Sequence, residues 1–68
     1  MNAKLLRSKM VLFGDTQKDL AEHIGISDVR LSAKINETNG AEFTQREIKA
    51  IKERYNLTDE EVSLIFFV

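Results

Sequence analysis

Three times in this chain a threonine is followed three residues later by a carboxylate: Thr16 by Asp19, Thr44 by Glu47 and Thr58 by Glu61. At a helix start such a threonine hydroxyl accepts from the third helical N–H, and the carboxylate accepts from the threonine's own N–H, so two otherwise unpaired donors are satisfied together. The aspartate version at Thr16 is a short variant of the motif. In the other two cases an apolar residue precedes the threonine and another follows the carboxylate, Phe43 with Ile48 and Leu57 with Val62. These pairs act as hydrophobic staples that fix how the chain enters each helix.

Two further starts follow from single caps. Ser27 is a good N-cap, Asp28 behind it suits the positive end of the helix dipole, and Ile26 with Leu31 forms another staple. Asn2 caps a first helix whose Leu6, Met10 and Phe13 recur at i, i+4 and i+7, with Gly14 closing it. Leu20, Ala21 and Ile24 line the inner face of the second helix, which ends at Gly25. Leu31 and Ile35 face inward from the third. A fourth helix over about 45 to 55 turns Ile48, Ile51 and Tyr55 inward, and a fifth runs from about 59 to 65 or 66. No run alternates apolar and polar residues and there is no proline, so strands are not expected. The expectation is a single all-α domain over residues 1–68, a compact bundle of five helices.

Size and composition narrow the function. A chain of 68 residues holds one core and is only marginally stable on its own. Without cysteine it has neither a disulfide framework nor a cysteine-ligated metal site, which leaves helix packing or self-association to stabilise it. The first 13 residues intersperse Lys4, Arg7 and Lys9 among apolar side chains, unlike a signal peptide, and the longest apolar run is residues 64–68, too short for a membrane span. A cytoplasmic location is therefore expected. The net charge of −1 is unevenly placed: residues 1–36 carry six basic and four acidic side chains, giving +2, and the remainder four and seven, giving −3. Such asymmetry permits a phosphate-binding surface in the N-terminal half.

Residues 17–35 carry the motif with most functional content. A helix-turn-helix needs a small residue where the helices cross, a residue tolerant of positive φ in the turn, and aliphatic side chains that lock the crossing angle. Ala21, Gly25 and the set Leu20, Ile24, Ile26, Leu31 and Ile35 meet those needs in register. With "TQKDLAEHIGIS" at 16–27, "LSAKIN" at 31–36, "FTQREI" at 43–48 and "IFF" at 65–67, the sequence resembles the phage Cro and CI helix-turn-helix repressors, especially the short Cro-like regulators of Gram-positive bacteria and their prophages. The resemblance implies a lambda-repressor-like DNA-binding domain whose third helix enters the major groove.

On that helix, 100° per residue with Leu31 and Ile35 inward turns Val29 and Ala33 outward, sets Arg30 and Ser32 on the flanks and places Asp28 at the tip. None of these is the glutamine or asparagine that commonly reads adenine. Val29 and Ala33 instead offer apolar contact to thymine methyls, Ser32 a hydroxyl, Asp28 an acceptor for a cytosine amino group, and Arg30 the one long donor. Phosphate contacts are expected from Gln17, as the family match suggests, and from Lys34, Lys9 and Lys18. Lys34 stands where many relatives have an aliphatic residue, with Ile35 one place later, and is expected on the rim. The loop at 36–43 is acidic where many relatives are basic. Phe66, Phe67 and Val68 cannot all point inward and are candidate dimer contacts.

Together these features imply a transcriptional repressor that binds a double-stranded DNA operator as a homodimer, with no cofactor or small-molecule ligand. The alternatives are a protein-interaction module, such as an antirepressor partner or antitoxin-like domain, and a nonspecific nucleic-acid binder. Asp19, His23 and Ser27 at successive i+4 spacings suggest a catalytic triad, but Ser27 is needed as a cap and no oxyanion site accompanies them, so no enzyme activity is expected. A single histidine with no cysteine does not suggest a metal site.

Overall fold

The computed structural model describes residues 1–68 and contains five α-helices and no strand. They are α1 (Ala3–Leu12), α2 (Gln17–Ile24), α3 (Asp28–Asn36), α4 (Gln45–Arg54) and α5 (Asp59–Phe66), with a short 3-10 turn (Thr38–Gly40) between α3 and α4. All three threonine and carboxylate pairs form reciprocal capping boxes, at Thr16 with Asp19, Thr44 with Glu47 and Thr58 with Glu61. The single caps form as well: Asn2 Oδ1 accepts from Leu5 N at 3.1 Å and Ser27 Oγ from Arg30 N at 3.1 Å. No helix is long and apolar enough to cross a membrane.

Every helix contributes to one core. Leu6 and Met10 of α1, Leu20 and Ala21 of α2, Leu31 and Ile35 of α3, Ile51 of α4 and Ile65 of α5 are all buried, and Tyr55 and Leu57 close it beyond α4. α2 packs on both α3 and α4, while α5 packs on α1 and α4. The α1 and α5 helices run antiparallel: Asn2 N donates to Ile65 O at 2.7 Å at one end, and Lys9 pairs with Glu61 toward the other.

Two apolar expectations change. Phe13 is half exposed, because α1 stops at Leu12 and the chain turns through Gly14; its ring lies 5.2 Å from that of Tyr55. Tyr55 is buried but caps α4 instead of ending it as a helical residue.

The α2 to α3 turn depends on Gly25, which sits at φ 79° and donates to Ala21 O at 2.9 Å. A Cβ built there would meet no atom within 4 Å, so substitution there strains the backbone without creating a clash. Gly25→Ala is expected to lower unfolding stability by about 1 to 2 kcal/mol, the left-handed penalty of a non-glycine residue, and Gly25→Asn by less; urea unfolding of both variants measures this.

Candidate nucleic-acid interface

The face in question is the outer side of α3. Its inner side is fixed by Leu31 and Ile35, both essentially inaccessible, so the opposite side of the helix faces outward. Val29 is 80% exposed. Asp28 and Arg30 are exposed, and the Arg30 guanidinium forms neither a hydrogen bond nor an ion pair, while Ser32 and Ala33 are half-buried on the same helix. Ser32 Oγ accepts from Asn36 Nδ2 at 3.4 Å. The N-terminal half of α3 thus carries a small apolar centre at Val29 flanked by one free guanidinium and one carboxylate.

Gln17, at the first position of α2, is half-buried and bridges to α3: its Nε2 donates to Asp28 Oδ1 at 2.8 Å and approaches Asp28 O at 3.5 Å. A phosphate candidate and a base candidate are therefore held together. The bridge fixes the Asp28 carboxylate against the start of α2. Lys18 is exposed and unpaired.

Lys34 does not reach the rim. It is 7% exposed, and its Nζ donates to both carboxylate oxygens of Glu47, at 2.6 and 2.8 Å. Three residues after Leu31 and one before Ile35, Lys34 lies on the edge of the apolar stripe, where the start of α4 covers it. Glu47 also accepts from Thr44 N at 2.8 Å, so one carboxylate caps α4 and neutralises Lys34. Burial pushes the Glu47 carboxyl up, but the Lys34 ammonium and the Thr44 N–H outweigh it and hold the group below its usual value. Lys9 is likewise committed, paired with Glu61 in a partly buried contact between α1 and α5. Neither ammonium is free to clamp a phosphate.

Other groups came to light only in three dimensions. Arg7 is exposed, and its Nη2 donates to Asn36 Oδ1 at 3.4 Å, placing a cation at the C-terminal end of α3, where it also suits the helix dipole. Asp15, in the turn before α2, accepts from Arg54 Nε and Nη2 at 2.6 and 2.7 Å and from Tyr55 Oη at 2.7 Å. The Arg54 guanidinium, chiefly, opposed by burial and helped by the tyrosine hydroxyl, holds the Asp15 carboxyl down to about 2. The same cluster, with burial the larger cause, raises the Tyr55 phenol.

The terminal apolar residues divide. Phe66 is half-buried with its ring edge-on to Phe43 at 5.4 Å, whereas Phe67 and Val68 are 61% and 73% exposed. Of the triad-like set, Asp19 accepts from Thr16 N at 2.9 Å and Ser27 caps α3, so both outer members serve helix starts. No three His, Cys, Asp or Glu side chains converge to hold a metal ion.

Comparison with protein-family models, curated proteins and solved structures finds no match in any of the three.

Two stability measurements follow. Removing one partner of a buried pair strands the other, so Glu47→Ala is expected to cost about 3 to 5 kcal/mol in urea unfolding. That is comparable to the entire stability of roughly 3 to 10 kcal/mol of a domain this size. Asp15 has its folded value depressed from 3.8 to about 2, so it contributes stability that is fully present above about pH 4 and is lost as pH falls through about 2. Thermal melts of Asp15→Asn should therefore lie below the parent at pH 6, and the gap should close toward pH 2.

Proposed function

We propose that residues 17–35 form a helix-turn-helix whose α3 enters the major groove, and that the protein is a sequence-specific regulator binding double-stranded DNA. What supports this most is the exposed outer side of α3, with Val29 at 80% exposure beside an unpaired Arg30, on a helix whose inner side is wholly buried. Reading would rest on methyl contacts from Val29 and Ala33, the Ser32 hydroxyl, the Gln17-held carboxylate of Asp28 and a guanine or phosphate contact from Arg30. The resemblance to Cro-like repressors supports the same reading and suggests a prophage or phage origin.

The largest dimension of the domain is 26 Å, short of the approximately 34 Å between half-sites on one face of the duplex. Two copies are needed to span an operator, and exposed Phe67 and Val68 are the contact candidates. A bound homodimer would repress by covering promoter DNA. With Lys34 and Lys9 withdrawn into ion pairs, phosphate contacts fall to Gln17, Lys18 and Arg7.

The exposed apolar residues Val11 and Leu12, at 78% and 75%, together with Val29, favour a second reading as a protein-interaction module. Selection from random duplex DNA separates the two: an enriched palindrome containing thymines supports the regulator, and no binding supports the interaction module. Arg30→Ala is expected to weaken binding to the enriched site by about 1 to 3 kcal/mol. Lys18→Ala should weaken all sequences alike and reduce the salt slope by about one unit, whereas Lys34→Met combined with Glu47→Gln, which strands no buried charge, should leave that slope unchanged. Mobility-shift titrations at several salt concentrations read all three.

A further inference from the structure

We infer that Lys34 is a positioning residue: its buried ion pair with Glu47 sets the tilt of α3 and thereby which bases the C-terminal half of the reading face can discriminate. The consequence for bases rests on the DNA-binding proposal above, while the effect on tilt rests on the fold alone.

Apolar burial of Leu31 and Ile35 holds α3 against the core but is not directional. Direction comes from hydrogen bonds, and α3 has three such ties to other helices of the core, one of them the exposed 3.4 Å contact from Arg7 of α1 to Asn36 at its last residue. Near its start, Asp28 accepts from Gln17 of α2. Six residues later, Lys34 donates twice to Glu47, the sole side-chain hydrogen bonding between α3 and α4. The Asp28 and Lys34 ties lie about 9 Å apart along the helix axis. The Arg7 contact is long and solvent-exposed, so with the buried Lys34 tie removed α3 can rock about the Asp28 tie.

The Lys34 tie is built to hold its place. Both side chains are about nine-tenths buried, at 9% and 11% exposure, so water does not compete for the hydrogen bonds. Glu47 is in turn held by Thr44 N, and Glu47 N donates to Thr44 Oγ1 at 3.2 Å, which anchors the acceptor to the first turn of α4. Ser32 and Ala33 lie within two residues of Lys34, and Asp28 and Val29 lie by the Gln17 tie. Loosening Lys34 therefore moves one end of the reading face and spares the other.

The test uses the full chain carrying Lys34→Met with Glu47→Gln. Glutamine still caps Thr44, and no unpaired charge is left buried. Residual dipolar couplings on the free protein report the orientation of α3 against α4, and selection from random duplex DNA reports base preference position by position. Expected are altered α3 couplings, nonspecific affinity within about twofold of the parent, and discrimination reduced about tenfold or more at bases facing Ser32 and Ala33 but kept at those facing Asp28 and Val29. Lys34→Gln with Glu47→Gln, which places a neutral hydrogen bond in the same position, should restore the parent profile; it also serves as the working variant if the first does not fold.

Unchanged couplings overturn the inference, as does an unchanged or uniformly weakened base profile. If the parent itself enriches no sequence, the DNA-binding proposal fails, and the couplings alone decide whether Lys34 positions α3.

Discussion

One carboxylate ties the C-terminal half of α3 to α4. Glu47 accepts from Thr44 N and from Lys34 Nζ, so the start of α4 and the C-terminal half of α3 are fixed by the same group. Desolvating such a pair is costly, and its net worth over an apolar replacement is small. What it supplies is direction, which Leu31 and Ile35 cannot give. Asp15 plays the matching part at the far end of α4, where Arg54 and Tyr55 hold the turn leading into α2. Between them the two carboxylates brace the α2 and α3 unit against α4.

The same bracing redistributes charge. Of the six basic side chains in residues 1–36, Lys9 and Lys34 are consumed in ion pairs with α5 and α4, leaving Lys4, Arg7, Lys18 and Arg30 unpaired. On the DNA-binding proposal, a surface with few free cations would attract phosphate weakly, and a larger share of affinity would come from the fit of α3 to base edges. Small side chains at Val29, Ser32 and Ala33 suit close approach to the groove floor, and in that arrangement small changes in helix tilt matter more than they would for long, adaptable side chains.

The helices were legible in the sequence because capping is local. A threonine and a carboxylate three residues apart report on each other whatever the rest of the chain does, and the starts at Gln17, Gln45 and Asp59 follow from them, while the start at Asp28 follows from the single Ser27 cap. The inward residues Leu6, Leu20, Leu31, Ile51 and Ile65 were legible from periodicity for the same reason. Periodicity does not reveal the burial of Lys34, because it orders residues around a helix but does not say how wide a strip its neighbours cover. The partner of Lys34 is 13 residues away, and those of Lys9 and Asp15 are 52 and 39 or 40 away, beyond any local pattern. The position of Lys34 between Leu31 and Ile35 was the available signal. Phe13 misled in the opposite sense, since its spacing from Leu6 and Met10 is helical but the helix ends one residue earlier.

The central claim is that the outer side of α3 is the surface that meets DNA. Titrating isotopically labelled protein with duplex DNA and following backbone amide shifts tests it most directly. Perturbations concentrated on Gln17, Lys18 and residues 28–33, with α5 affected only through association of two copies, are the expected result. Perturbations that avoid α3, or none at DNA concentrations that saturate a low-salt complex, would contradict it.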